Sequence, residues 1–202
     1  LVFTVPRCLR RIFMRERTLL GDFARTAYEC TQRFFAEQFP SVDGKPYFVC
    51  ALQTFGDFAN IHPHLHALCS VGVKDPEGSF HAAPEDLDFA PLEELFRHAM
   101  LTMLREKKRI TEETQKRLLS WRRSGFSANA SVAVAPGDTA QLERIACYVL
   151  KPPISLTRLS YEPGSNVAVY RGKYNPSTKS NFQALDPKEL LVRLLCHAPA
   201  SR

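Results

Sequence analysis

Three of the chain's six histidines occupy alternate positions in the run His62-Pro63-His64-Leu65-His66. In an extended strand alternate side chains share a face, so His62, His64 and His66 project together while Ile61 and Leu65 lie opposite. Imidazoles gathered this way either hold a metal ion or form a polar, solvated strand face. Residue chemistry alone favours Zn²⁺ for nitrogen donors, because Mg²⁺ prefers oxygen. Far downstream stand Tyr148 and Lys151, three residues apart. On a helix they share a polar stripe with Gln141 and Arg144, beside an apolar stripe of Leu142, Ile145, Ala146 and Val149. A phenol titrates near ~10 and is a weak nucleophile at neutral pH. A lysine one turn away and a nearby divalent cation both favour the phenolate and stabilise charge on a phosphate. That pairing suits tyrosine attack on a phosphodiester, leaving a covalent phosphotyrosine. A half-buried helix tyrosine with a packing role fits the same local pattern.

These groups need elements to carry them. Residues 1–5 read as a strand stopped by Pro6, and Cys8–Phe13 as a turn. Apolar residues at helical spacing predict a helix over about 15–39, ended by Pro40 and Asp43-Gly44. A strand over 47–55 and the histidine strand over about 62–73 form an antiparallel pair, followed by a short strand at 79–82. Helices follow over about 88–109 and 111–123, the latter opened by a Thr111 N-cap signature. Ser131–Ala135 alternates as a strand, and residues 140–151 form the tyrosine helix, stopped by Pro152-Pro153. Strands at 158–161 and 167–171 make a hairpin. A basic loop spans 173–180, a strand 181–185, and a last helix runs from Asp186-Pro187 to about His197. Strands interspersed with helices and hairpins predict an α+β fold, a central antiparallel sheet flanked by helices.

The chain has 202 residues, enough for one domain, with ordinary hydrophobic (45%) and charged (24%) fractions. No apolar run is long enough to span a bilayer. Six cysteines without a CxxC pair read as mostly buried thiols in a reducing cytosol rather than a disulfide scaffold. The net charge of +6 is uneven: +3 over 1–39, −2 over 40–140 and +5 over 141–202. A basic final third beside a candidate metal strand points to a polyanionic partner. Arg158, Arg171, Lys173 and Lys179, interleaved with Tyr161, Tyr170 and Tyr174, suit single-stranded nucleic acid, although Tyr170 packed inward fits the pattern equally well.

The ordered series of blocks carries a resemblance. His64-Leu65-His66 is a histidine–hydrophobic–histidine (HUH) triplet preceded by Gln53-Thr54-Phe55-Gly56-Asp57. Then come Ser124-Gly125-Phe126-Ser127, Leu142-Glu143-Arg144, Cys147-Tyr148-Val149-Leu150-Lys151-Pro152-Pro153-Ile154-Ser155, Val169-Tyr170-Arg171 and Asn181-Phe182-Gln183. In this order, over nearly the whole chain, they resemble the transposase domain of HUH single-strand endonucleases encoded by rolling-circle insertion sequences. The resemblance implies an HUH/RRM-like sheet and a DNA-nicking and strand-transfer enzyme acting in transposition. His64 and His66 would bind a divalent cation, Mg²⁺ or Mn²⁺, with His62 or Asp57 as a third ligand. Tyr148 would form a 5′-phosphotyrosine and free a 3′-hydroxyl, with Lys151 stabilising charge. Arg144, with Arg158, Arg171, Lys173 and Lys179, would contact single-stranded DNA at transposon ends and target. Arg144 also stands where many relatives carry a second tyrosine, which implies a single-tyrosine variant unless a homo-oligomer supplies another. The relatives' cysteine-rich zinc-binding region and C-terminal continuation have no counterpart here, so residues 1–202 read as a catalytic segment of a longer protein. The expected location is the bacterial cytoplasm, on the nucleoid when DNA-bound. A metal-dependent phosphodiesterase using water as nucleophile and a non-catalytic DNA-binding domain are the alternatives.

Overall fold

Pro6 has extended backbone and ends the first strand, β1 (Val2–Thr4). The computed structural model, which describes residues 1–130, 132–176 and 179–198, then shows a helix rather than the expected turn. Leu9 and Phe13, one turn apart, are both buried and draw Arg7–Arg15 into α1. The long amphipathic run forms α2 (Thr18–Gln38), which buries Leu19, Phe23, Ala27, Cys30, Phe34 and Phe35 along one stripe. Strands β2 (Phe48–Phe55) and β3 (Ile61–Cys69) make the predicted antiparallel pair, with Gln53 opposite His64 and Ala51 opposite His66.

The histidine strand is shorter than expected. It ends at Cys69, and Gly72–Lys74 (β4) pairs instead with Phe80–Ala82 (β5). Gly72 permits that change of direction: its φ is +145°, and a Cβ there would lie 2.2 Å from the His81 carbonyl oxygen. Helices α3 (Ala90–Glu106) and α4 (Glu112–Leu119) follow, the latter capped by the Thr111 hydroxyl, which accepts from Thr114 N at 3.1 Å. The next strand, β6, is Ser127–Asn129 rather than 131–135. Of that expected strand, Ser131 lies outside the described residues, and 132–135 form no regular element because no neighbouring strand pairs with them.

The sheet order is β2-β3-β1-β6, antiparallel throughout, so β1, α2, β2, β3, α3 and β6 form a β-α-β-β-α-β unit. Both long helices pack on one face. Phe3 and Leu65 from the sheet meet Phe23 of α2 and Phe96 of α3, with Phe3–Phe96 and Phe23–Phe96 ring centroids 5.0 and 5.6 Å apart. Each such buried ring contributes about 1.5–3 kcal/mol. The other face is free of α2 and α3, and it carries the histidines.

After α5 (Thr139–Val149), β7 (Leu159–Glu162), β8 (Val167–Asn175) and β9 (Ser180–Leu185) form a second sheet, backed by α6 (Pro187–Leu195) through a small core of Ala168, Leu185 and Leu190. Of the expected basic loop 173–180, residues 173–175 and Ser180 are strand, because Asn175 of β8 pairs with Ser180 of β9, and 177–178 lie outside the described residues. The cysteines correct another expectation: Cys30 is buried and Cys69 partly so, whereas Cys8, Cys50, Cys147 and Cys196 are exposed. No helix among the described residues is long and apolar enough to cross a membrane.

Candidate active site

Pro63, Leu65 and Ala67 of β3 are buried against the helices, which turns His62, His64 and His66 to the open face. The Nδ1–H of His64 donates to the His62 carbonyl oxygen at 2.7 Å. This fixes the tautomer and leaves the His64 Nε2 lone pair outward, the state in which a histidine binds a metal. His64 Nε2 and His66 Nε2 converge to 3.1 Å. Two nitrogens about 2.1 Å from one ion lie about 3.0–3.4 Å apart at angles near 90–110°. All three imidazoles titrate below the usual histidine range, chiefly because burial disfavours the cation; for His62 the value falls to about 4. Arg10, on α1, adds to that lowering for His62 and His64. Neutral, convergent nitrogens fit a divalent cation. His62 and Asp57 line the same cleft, but among the described residues no three His, Cys, Asp or Glu side chains gather as a metal-holding group.

Helix α5 stands over this face and encloses with it a cleft of about 1310 Å³. Asp138 caps its start, accepting from Gln141 N at 2.9 Å. Its end is tied down by Gln53, whose Nε2 donates to the Val149 carbonyl oxygen at 2.5 Å. Gln53 is the partner of His64 across the ladder, so one side chain links the histidine strand to the last turn of α5. The residue before that tether is Tyr148. Its ring packs edge-on against His66 with centroids 5.7 Å apart, and the side chain is 62% exposed. Lys151 and Arg144 line the same cleft. The apolar stripe of α5 is not buried as its pattern suggested, since no α5 residue is buried and Leu142 and Ile145 face the cleft instead.

The basic candidates divide. Arg158 lines the cleft with Arg144 and Lys151, whereas Arg171, Lys173 and Lys179 are exposed outside it. Tyr170 packs inward: it is 8% exposed, its hydroxyl accepts from Ser155 N at 3.1 Å, and its ring meets Phe58. Tyr161 and Tyr174 are exposed.

Sequence reasoning missed the residues that set the loop before β3. Phe58 and Ala59 both have left-handed backbone, with φ of 57° and 53°. The Phe58 ring lies where a side chain on Gly172 would be, 2.8 Å from such a Cβ. His197, just beyond α6, bridges the neck of the β2–β3 hairpin. Its Nε2–H donates to the Ala59 carbonyl oxygen at 2.7 Å, and its Nδ1 accepts from the Thr54 hydroxyl at 2.9 Å. Arg193 of α6 donates to the Phe58 carbonyl oxygen at 3.4 Å and pairs with Glu189 at 2.6 Å. No short motif signals the His197 contacts or that of Arg193 with Phe58, because they join positions more than 130 residues apart. Gln53 was visible in the sequence, but its role needs the hairpin register.

A family described as "Putative transposase" (Y2_Tnp) has a model that matches residues 48–202. No curated protein and no solved structure matches the chain.

Proposed function

The chain belongs to this transposase family, and from that premise we propose that it nicks single-stranded DNA and transfers the strand through a 5′-phosphotyrosine on Tyr148. The observation that carries the reading is the edge-on contact of Tyr148 with His66, on the face where the His64 and His66 nitrogens converge. The transposase assignment supplies DNA as the substrate. The paired neutral imidazoles, the exposed phenol and three cleft-lining cations supply a set of groups suited to phosphodiester chemistry.

In this reading Tyr148 Oη attacks phosphorus, a bond forms between them, and the bond from phosphorus to the 3′ oxygen breaks. The phenolic proton is lost, and the departing oxygen gains one to become a 3′-hydroxyl. Lys151, three residues beyond Tyr148, stabilises the developing phosphate charge. Arg144 and Arg158 hold the strand. His64 and His66 would hold Mg²⁺ or Mn²⁺, with His62 or Asp57 as a further donor, and the bound ion would supply Lewis-acid polarisation of the phosphate. Arg144 one turn before Tyr148 supports a single-tyrosine cycle within one chain.

Tyr148→Phe tests this directly. Incubated with a single-stranded oligonucleotide and Mn²⁺, the parent should yield a covalent protein–DNA adduct that denaturing electrophoresis detects, and the variant none. Nicking that persists in the variant would assign the nucleophile to water instead.

A further inference from the structure

Helix α1 carries Arg7, Arg10, Arg11 and Arg15 and no acidic residue. Near its start lies the loop after α4, with Trp121, Arg122 and Arg123. The two segments pack directly, since a Cβ on Gly125 would sit 3.1 Å from Pro6 Cβ. Between them is a second cavity, of about 530 Å³, lined by Arg7, Arg10, Trp121 and Arg123. Among the described residues none of these arginines is in an ion pair. Arg10 is partly buried, and burial first and the neighbouring Arg7 charge second disfavour its cation. Its only hydrogen bond among the described residues runs from Nε to the Val5 carbonyl oxygen at 3.3 Å, so its two terminal nitrogens are uncommitted. Like charges left side by side without counter-charges suit a polyanionic ligand.

The aromatic member is held in place from below. Arg97 is 7% exposed and donates from Nη2 to the carbonyl oxygens of Leu118 (3.0 Å), Leu119 and Trp121 (3.2 Å), while Nη1 pairs with Glu94 at 3.1 Å. A buried guanidinium thus fixes the Trp121 backbone, while the indole remains 39% exposed. The groove also adjoins the histidine strand, because α1 packs against β3. A fixed, open indole among unpaired arginines combines a base platform with backbone contacts.

We infer that the groove between α1 and the Trp121 loop is a second single-stranded DNA site, which binds the flank of the strand cut at Tyr148. Arg7, Arg10 and Arg123 hold phosphates, and a base stacks on Trp121. The inference rests on the reading of single-stranded DNA as the substrate.

Trp121 is the only tryptophan in the chain, so its emission reports on this groove alone. Titrating the full chain with a short oligothymidylate should quench that emission in step with the anisotropy of a labelled oligonucleotide. Trp121→Ala should weaken binding about tenfold, and Trp121→Phe should largely restore it. The Arg7→Ala, Arg123→Ala double variant should lower the slope of log affinity against log salt by about 1.4. Tyr148→Phe should quench like the parent while forming no adduct, which separates this site from the nucleophile. Adduct formation with unchanged Trp121 emission and an unchanged salt slope in the double variant would overturn the groove and leave the parent reading intact. Absence of any oligonucleotide binding would overturn both, and equal quenching by a duplex would overturn the stacked base.

Discussion

The three strand histidines are neutral because of where they sit, and this has a measurable cost in acid. Unfolded, each takes a proton near ~6.5; folded, burial lowers all three, His62 to about 4. Between those values the unfolded chain binds more protons than the folded chain. Stability from these groups is therefore complete above pH ~6.5 and is lost as pH falls towards 4. The metal-free protein should lose a few degrees of Tm over that window beyond its carboxylate-dependent loss, since solvent around the half-buried rings screens the effect. The slope should flatten in His62→Gln, and calorimetry of the two proteins side by side checks it. At His64 the same neutrality favours a cation. His64→Ala should abolish Mn²⁺ binding by isothermal titration while changing Tm by no more than about 4 °C.

At the scale of elements, the link between Gln53 and the end of α5 holds Tyr148 beside the histidine pair. Gln53→Ala should leave Mn²⁺ affinity unchanged and cost about 1 kcal/mol of stability. It should slow single-turnover nicking about 10–100-fold, because a loosened helix no longer presents Tyr148 beside His66. Much of this arrangement was legible in the sequence. Alternation set His62, His64 and His66 on one face; Lys151, expected on the same helix as Tyr148, instead lies beyond the Leu150 C-cap of α5 and lines the cleft from the segment that follows. What was not legible depends on pairing or burial. The arginine-rich run 7–15 is short, and only Leu9 and Phe13 of it are buried, with Ile12 packed partly against the core. Ser127–Asn129 is a strand because β1 pairs with it, whereas the more apolar 132–135 has no partner strand. The α5 stripe looked like core and instead lines a cleft.

Across the whole molecule stability is uneven. The main core gathers the largest buried rings, and Phe96 touches Phe3, Phe23 and Phe126. Phe96→Ala should cost about 3–5 kcal/mol by denaturant unfolding. The β7–β9 sheet packs on α6 through only a small cluster, Ala168, Leu185 and Leu190, among the described residues. Native-state hydrogen exchange should find its amides opening well before those of β1 and β3. The clamp on the hairpin neck joins these two unequal parts. Ala59 accepts from His197 across a separation of 138 residues, and Arg17 holds the end of α6 through the Cys196 carbonyl oxygen at 2.6 Å. During synthesis at about 5–20 residues per second, the histidine hairpin therefore waits roughly 7–28 s for the residue that closes its neck. A ribosome still translating the message carries a nascent transposase with an unset site, so competence to cut DNA arrives only with nearly all of these residues made.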